Sequence, residues 1–533
     1  MTTRLFVGGK VFLGTGEDDF ATAFRVTDGR FSWVGDEAGL TSVERSGAED
    51  LGGRAVLPGL LDVHSHPALL ATLAGWVSCL PPDVRSREAL VDRLRTSPDL
   101  GRADDTWVLG FGYDEQSFPD RRPPTAADLD RVSKTQPVFV VRCDGHSAVC
   151  NTRALQLAGI TRDTPNPEGA RFERDSGGHP TGVLTEVAAA DAVRAVIPRP
   201  GRAELVARLA GLSRHFLERG VVAVADLWST VLPQPLELFR DAAAAGLVPQ
   251  IGLYLGWTDL RDGPLPELTD AHRTGRVRVA GVKLFLDGAF SNRTAWTKEA
   301  YPDSCSHGIR TASDADLREA VAWARRNGVQ VAVHAMGDRA LEHVVGLLGV
   351  EEPWLGDLPS IRLEHATLVG PALIEQINAA RMSFAVVTHT IFLFAEHAAY
   401  AANLTERQFP VAYPIRSLYN GIRHLALSSD TPATAWADAD NVFVSLKAAV
   451  LRRAHTGADI NAEEAVTVAQ ALLLYTGRAG TVCPLDHVGV IAEGFEGSFV
   501  VLDRDPFSID PDELDRVQVH QTWVAGERVF ARS

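Results

Sequence analysis

Residues that could bind a metal ion stand in or at the ends of short apolar runs of the sequence. The first run ends in His64-Ser65-His66, and because side chains alternate along a strand, both imidazoles point to the same side and could bind one ion. The other residues of this kind are Lys283, His334, His365, His389 and Asp430. Imidazole and carboxylate groups bind divalent transition metals, and an ion so held can activate water for hydrolysis. The pattern therefore predicts a metal site.

Lys283 lies inside the apolar run VAGVKLFL, where its ammonium group needs compensation. Burying an unpaired ammonium costs several kcal/mol, so the side chain must be paired, neutral or chemically altered. Carboxylation by CO₂ would turn it into an anionic oxygen ligand able to bridge two divalent ions. The alternative is a buried ion pair with Asp287 or Asp430. Taken singly, His334 and His365 could also be hydrogen-bonded core histidines, and the metal site is favoured because all these residues share one rim.

The elements that must position these residues are parallel strands. Apolar runs alternate with amphipathic helical stretches, which is the pattern of strands joined by crossover helices. The runs are AVLPGLLDVHSH, GVVAVADLW, VPQIGLYLG, VRVAGVKLFLDG, VQVAVHAMGD, IRLEHA, MSFAVVTH and HLALSSDTP. Eight such strands close a (β/α)₈ TIM barrel, whose active site lies at the C-terminal ends of the strands. We therefore expect an α/β fold of this type.

Two further regions do not fit a barrel alone. Residues 1–57 and 481–533 contain short alternating strands with Gly and Asp turns, and we expect them to form one small β-sandwich domain built from both termini. Residues 77–200 are too many for one crossover and are interpreted as an insert after barrel strand 1. The barrel itself is then 58–76 and 201–480. Because the insert leaves the catalytic rim, we expect it to cover the active-site mouth.

The amino-acid composition limits the kinds of molecule that the protein is expected to bind and the compartment it is expected to occupy. The 533-residue chain carries 52 Lys plus Arg against 68 Asp plus Glu, a net charge of −16, which argues against nucleic acid and anionic membranes as partners. Its five cysteines have no CxxC spacing and fit a reducing compartment. The sequence offers neither the apolar core of a signal peptide near its start nor a run long enough for a membrane span. We expect a cytoplasmic protein acting on a small molecule.

The ordered set of site residues resembles the amidohydrolase superfamily, and the local strings resemble its amidohydrolase 3 branch, which includes N-substituted formamide deformylases. The strings that carry the resemblance are LPGLLDVHSH, GVKLFLDGAFSNRTA, VAVHAMGDRA, RLEHA, LSSDTP, FGYDE, DGHSAVCN and GSFVVLDRDP. They extend over nearly the whole chain. The combination is specific to the family and not to a substrate.

The resemblance implies a ligand set and its chemistry. The implied metal ligands are His64, His66, Lys283, His334, His365 and Asp430. The first two histidines and Asp430 would hold one ion, and carboxylated Lys283 would bridge it to a second. We expect one or two divalent ions per subunit, with Zn²⁺ favoured by imidazole and carboxylate ligands. Asp430 would act as general base, with Lys283 and His334 completing the catalytic group.

Residues around these ligands are predicted to bind substrate. They are Asp144, His146, Asp287, Arg293, Asp338, His389, Phe392 and Trp76. Asp144 and His146 could instead be a buried pair that holds the insert together. Glu186 could likewise bind substrate or stabilise the insert. Asp287 and Arg293 could simply anchor the loop after Lys283. His389 is expected to hydrogen bond the substrate carbonyl. The aromatic residues near the mouth, which favour an apolar or aromatic ligand, are Trp76, Phe392, Trp228, Phe394 and Tyr400. The alternative is that they only pack against neighbouring side chains.

The sequence thus predicts a hydrolase that cleaves a non-peptide C–N bond of a small N-acyl or N-formyl compound by attack of metal-bound hydroxide. The same site could act on a cyclic amide, carbamate or ester, or deaminate a ring. A metal-binding regulatory protein without activity is the alternative of another class. Superfamily members are often dimers, which favours a homodimer.

Overall fold

The computed structural model describes residues 2–143 and 145–532, and in these residues the strands form four sheets. In chain order the strands are β1 (Thr3–Val7), β2 (Lys10–Phe12), β3 (Phe20–Ala21), β4 (Ala23–Thr27), β5 (Arg30–Gly35), β6 (Glu49–Asp50), β7 (Ala55–Pro58), β8 (Leu60–Ser65), β9 (Val77–Ser78), β10 (Val108–Tyr113), β11 (Val138–Arg142), β12 (Ala148–Cys150), β13 (Arg171–Arg174), β14 (Pro180–Thr185), β15 (Val221–Asp226), β16 (Gln250–Gly256), β17 (Val277–Phe285), β18 (Gln330–Ala335), β19 (Ile361–His365), β20 (Phe384–Thr388), β21 (Leu425–Leu427), β22 (Phe499–Leu502), β23 (Val519–Val524) and β24 (Glu527–Ala531).

A parallel sheet of eight strands carries the candidate site. Its order is β8, β15, β16, β17, β18, β19, β20 and β21, so each strand pairs with its neighbour along the barrel sequence. The first and last strands meet beyond β21, where the amide of Asp430 donates to the carbonyl of His64 (2.9 Å) and the amide of His66 donates to the carbonyl of Thr431 (2.8 Å). The predicted (β/α)₈ barrel is confirmed, and every predicted run contributes one strand to the barrel.

The first predicted run is divided between two sheets. Its first half is β7, which pairs with β22 and β2 outside the barrel, and its second half is β8. Gly59 separates them, and a Cβ atom at this position would lie 2.4 Å from a methyl carbon of Val222. Only glycine therefore allows the chain to pass this close to β15 as it enters the barrel.

Helices connect the strands. The α-helices are α1 (Ser42–Ser46), α2 (Pro67–Thr72), α3 (Arg87–Leu94), α4 (Ala126–Leu129), α5 (Thr152–Leu157), α6 (Val187–Arg194), α7 (Arg202–Leu217), α8 (Pro235–Ala244), α9 (Trp257–Arg261), α10 (Asp270–Arg273), α11 (Asp314–Asn327), α12 (Asp338–Leu348), α13 (Pro371–Ala379), α14 (Thr390–Asn403), α15 (Ile415–Gly421), α16 (Val442–Leu451) and α17 (Val468–Leu473). Short 3₁₀ helices are Glu37–Gly39, Glu115–Ser117, Ser229–Val231, Phe409–Val411, Ala462–Glu464, Ala479–Thr481 and Pro511–Arg516. Among the described residues no helix is long and apolar enough to cross a membrane.

Both ends of the chain build a small β-sandwich domain. One sheet has the order β5, β4, β1, β6 and the other β24, β23, β22, β7, β2, β3. Aromatic rings fill the space between them: the centroid of Phe6 lies 5.1 Å from that of Trp523 and 5.0 Å from that of Phe499. Residues from opposite ends of the chain thus share one core, as predicted.

The chain divides into two compact units. The first contains the barrel and the β domain, and the second consists of Leu70–Glu204 and Pro432–Ala439. Within the second unit, β13, β14, β12, β11, β10 and β9 form a mixed sheet covered by α3 and α5. The insert expected at 77–200 lies inside this unit. Pro432–Ala439 also belongs to this unit, which no sequence pattern predicted. Coverage of the active-site mouth by the insert stays a prediction.

Candidate metal centre

The histidine pair at the end of β8 meets Asp430. The Nε2 atoms of His64 and His66 lie 3.1 and 2.9 Å from the Asp430 Oδ1 atom, and the potential ligand atoms of the three residues lie within 4.8 Å of one another. Asp430 has a left-handed backbone (φ 56°), a conformation that Asp tolerates better than most residues. Burial alone would raise the Asp430 pKa, but the two neighbouring histidines outweigh it and hold the pKa well below its usual range.

Three more histidines surround His64. The potential ligand atoms of His64, His365 and His389 also lie within 4.8 Å of one another. The ring centroids of His334 and His365 are 4.3 Å apart. The structure thus brings five predicted site histidines, from β8, β18, β19 and the segment after β20, to one rim of the barrel.

Alternation along β19 does not by itself aim His365 at this rim. Arg362 and Glu364 point into the barrel, so His365 would face the other way in a regular strand. Its backbone is instead left-handed (φ 68°), as is that of Ala366 (φ 41°), and this departure turns the imidazole toward His64. Such strain in a non-glycine residue is typical of functional sites.

Several atoms at this rim lack a hydrogen-bond partner. Twelve buried side-chain nitrogen or oxygen atoms of the described residues are in this state, and five belong to the rim: His64 Nε2, Lys283 Nζ, His334 Nδ1, His365 Nδ1 and His389 Nε2. Each such atom costs about 1 to 3 kcal/mol, and folded proteins keep few of them. The four imidazole nitrogens among them can offer lone pairs, and their concentration at this rim fits a bound cation that supplies the missing partner.

Hydrogen bonds fix which nitrogen of each ring is free. His64 Nδ1 donates to Glu364 Oε2 (2.6 Å) and His389 Nδ1 to the Ser428 carbonyl (2.9 Å). His334 Nε2 donates to the carbonyl of Gly288 (3.1 Å). Carboxylate and carbonyl oxygens only accept, so the opposite nitrogen of each neutral ring keeps its lone pair. This is the arrangement that metal-ligating histidines use.

Burial keeps the histidines neutral. It lowers the pKa of His334 to about 3, with a further contribution from the Lys283 charge, and that of His389 to about 4. The pKa of His365 is also far below its ordinary value because the ring is buried beside other histidines. Neutral imidazole is the form that binds metal ions, so these rings need no proton loss at neutral pH.

Lys283 is buried in β17 with its ammonium group above the ring of Phe285, 5.1 Å from the centroid. The described residues contain no ion pair between Lys283 and Asp287 or Asp430, although the interpretation as a buried ion pair required one. Burial lowers the Lys283 pKa to about 8, and the charges of Glu364 and Asp430 oppose this shift. The amine is thus partly neutral near physiological pH, as carboxylation requires.

Sequence reasoning missed a buried ion pair beneath the site. Arg362 Nε donates to Glu364 Oε1 (2.7 Å), and its Nη2 and Nη1 atoms donate to the Val63 carbonyl (2.6 Å) and the Tyr254 hydroxyl (2.8 Å). Both charged side chains are fully buried. Glu364 in turn holds His64, so this pair fixes the orientation of a candidate ligand. The signal was present in the string RLEHA, where two opposite charges alternate within a buried strand.

Asp287 anchors the loop that follows β17. Its carboxylate accepts from the amides of Trp296 (2.9 Å), Met336 (3.0 Å) and Gly337 (2.8 Å). Burial raises its pKa to about 7, and these amide hydrogen bonds oppose the shift. The contacts match the loop-anchoring interpretation of Asp287.

Arg293 and Asp338 also make local contacts. Arg293 is exposed, and its Nε donates to Asn403 Oδ1 (2.7 Å) at the end of α14. Asp338 begins α12 and accepts from the amide of Lys298 (2.9 Å). Both side chains therefore hold the segment after β17 against neighbouring helices.

The second unit contains the remaining predicted polar residues. The Nδ1 atom of His146 lies 3.5 Å from Glu186 Oε2, and both side chains are exposed. Trp76 is half-buried in an apolar cluster of this unit, with its ring 6.3 Å from that of Phe139. Asp144 lies outside the described residues.

Among the aromatic residues predicted near the mouth, Phe392 lies closest to the histidines. Its ring stacks on His389, with centroids 4.9 Å apart and planes 17° apart. Tyr400 is buried, and its hydroxyl bonds that of Tyr413 (2.9 Å). Phe394 packs on His455, and Trp228 lies beside Phe285, with centroids 5.3 Å apart. Phe392 thus gives one wall of the site an apolar face.

A parallel barrel with histidines, a lysine and a carboxylate at one rim is the architecture of a metal-dependent hydrolase. The chain belongs to the amidohydrolase family, whose model matches residues 47–530. The resemblance found in the sequence is thereby confirmed, and the protein is a hydrolase acting on carbon–nitrogen bonds.

Individual relatives extend over the same length. The chain is 30% identical to YtcJ of Bacillus subtilis (strain 168), whose name classes it provisionally as an amidohydrolase, over 99% of both chains. It is 27% identical to the N-substituted formamide deformylase of Arthrobacter pascens, over 96% of this chain and 95% of that one. An uncharacterised metal-dependent hydrolase from Pyrococcus horikoshii OT3 has the same fold, with a TM-score of 0.74, 24% identity and coverage of 96% and 99%.

Proposed function

We propose that the protein hydrolyses the amide C–N bond of a small N-acyl or N-formyl compound. The observation that carries this proposal is the cluster of buried nitrogen atoms without partners around His64, which suits a cation. The similarity to a formamide deformylase favours the N-formyl class. Cyclic amides, carbamates, esters and deamination are the alternatives for the same site.

We propose Zn²⁺ as the ion, with one or two per subunit. His64, His66 and Asp430 would hold the first, and His334 and His365 would hold a second. When bound, the metal lowers the pKa of water from about 15.7 toward about 7 and polarises the scissile carbonyl. In this proposal Lys283 bears a carboxyl group: the neutral amine forms a bond to the carbon of CO₂ and releases a proton, and the new carboxylate replaces a buried cation.

Asp430 is the proposed proton carrier. Its pKa is held well below the usual range after the histidine contacts outweigh burial, so the carboxylate is ionised at neutral pH. It accepts a proton from the attacking water while the water oxygen bonds to the carbonyl carbon. It then delivers that proton to the nitrogen as the C–N bond breaks. The products are a carboxylic acid and an amine, and no other reactant is needed.

Phe392 favours a substrate with an apolar or aromatic group. Its ring lies 7% exposed against His389, so an apolar substituent next to the scissile bond would meet an apolar surface. A charged sugar phosphate has no apolar group that could pack against this surface.

The proposal is tested with purified protein loaded with Zn²⁺ in the presence of bicarbonate. N-benzylformamide and other N-formyl and N-acyl amines are compared with lactones, carbamates and ring amidines, and Asp430→Asn serves as the inactive control. We expect release of amine from the first group. Turnover of lactones or carbamates alone would favour the alternatives. A metal-loaded protein inactive on every class would contradict the proposed substrate class.

A further inference from the structure

His389 lies directly after β20 and precedes α14. Its imidazole is fully buried, and its ring centroid lies 5.0 Å from that of His64 and 4.9 Å from that of His365. Phe392 stacks on the ring, and the Ser428 carbonyl accepts from Nδ1 at 2.9 Å. The ring is therefore held in one orientation by contacts on two sides.

This geometry conflicts with the role suggested by the sequence. A ring whose Nδ1 donates to a carbonyl has only a lone pair at Nε2, so neutral His389 cannot donate a hydrogen bond to a substrate carbonyl. Its Nε2 is buried and has no hydrogen-bond partner. The lone pair needs either a cation or an N–H group.

The neighbouring atoms favour a cation. His64 Nε2 is also a partnerless lone pair, because its Nδ1 donates to Glu364. The potential ligand atoms of His64, His365 and His389 lie within 4.8 Å of one another. Two nitrogens bound to one tetrahedral Zn²⁺ lie about 3.4 Å apart, so His64 and His389 need only small side-chain movements to reach one ion. Lone pairs placed this close together repel, and one ion bound to His64 and His389 satisfies both.

We propose that His389 is a metal ligand, bound through Nε2 to the ion that His64 holds. This rests on the proposed metal-dependent function but adds a residue to the ligand set that the resemblance implied. It also assigns a purpose to the Ser428 carbonyl, which fixes the His389 tautomer. The other occupant of this position, a substrate N–H group, is an outcome of the test.

The test uses the full chain, stripped with a chelator and titrated with Co²⁺ alone. His389→Gln is compared with wild type and with His397→Gln, a change at a half-buried histidine of α14 that lies outside the site. Removing a hydrogen-bond partner that only orients a metal ligand lowers metal affinity by about 10- to 100-fold. Removing a ligand itself should therefore weaken Co²⁺ binding by at least about 100-fold. The visible Co²⁺ absorption should also change, while the His397 variant keeps both properties.

Wild-type affinity and an unchanged Co²⁺ spectrum in His389→Gln would overturn the assignment and leave the metal centre intact. If KM alone rose, His389 would be an acceptor for a substrate N–H group. If wild type bound no Co²⁺, both the centre and this assignment would fail. X-ray absorption of wild-type protein loaded with one equivalent of Co²⁺ needs no variant to fold: three imidazoles on the ion are expected, and two would contradict the proposal.

Discussion

Glu364 is the residue whose loss should affect both stability and metal binding. Its carboxylate accepts three charge-assisted hydrogen bonds, from Arg362 Nε (2.7 Å), Arg362 Nη2 (3.2 Å) and His64 Nδ1 (2.6 Å). Glu364→Gln keeps the shape but removes the charge and one acceptor oxygen. Removing one partner of a buried ion pair costs about 3 to 5 kcal/mol, because the other charge stays buried.

We therefore expect Glu364→Gln to lower the free energy of unfolding of the metal-free protein by about 3 to 5 kcal/mol. Metal affinity should fall by about 10- to 100-fold, since His64 loses the carboxylate that orients it. Calorimetric unfolding and Co²⁺ titration measure the two effects separately.

The double variant Glu364→Gln with Arg362→Met separates the two causes. Removing the stranded guanidinium should recover much of the lost stability, as replacement of whole buried ion pairs by apolar groups does elsewhere. Metal affinity should stay low, because the contact to His64 is still missing. If Glu364→Gln left both stability and affinity unchanged, the reasoning about this buried pair would be wrong.

Three further predictions concern other charged residues. Asp430→Asn should reduce kcat by about 10²- to 10⁴-fold with a smaller change in KM, as steady-state kinetics would reveal; full activity would exclude it as the proton carrier. Lys283→Ala should lower the metal content in elemental analysis, and acetate should partly restore it; unchanged content would argue against a bridging role. Asp440 has its pKa lowered to about 2, because His215 and Arg219 outweigh burial, so it contributes about 2 kcal/mol above pH 4 that is lost as the pH falls through 2. Asp440→Asn should flatten this acid limb of the Tm profile, and an unchanged limb would contradict the assignment.

The barrel was predictable because each strand is a continuous apolar run ending in a polar residue. His64 and His66 follow from strand alternation alone. His365 does not, because its position at the rim depends on a left-handed backbone. The pair of Arg362 and Glu364 lies inside β19, before the strand end at which a barrel places its catalytic side chains.

Other features depend on contacts between distant parts of the chain. The tautomer of His389 is set by a carbonyl that lies 39 residues away in sequence, so no local pattern could assign its free nitrogen. One apolar run passes from one sheet to another at Gly59. This position must be glycine because Val222, far away in sequence, leaves no room for a side chain. The membership of Pro432–Ala439 in the second unit is likewise a matter of long-range packing.

We propose that this rim holds a transition metal required for hydrolysis. Elemental analysis of the purified full-length protein, before and after chelation, tests it most directly, with amide hydrolysis measured on the same samples. We expect between one and two equivalents per chain, loss of activity when they are removed and recovery with Zn²⁺. A folded protein that hydrolyses amides without any bound metal would contradict the account.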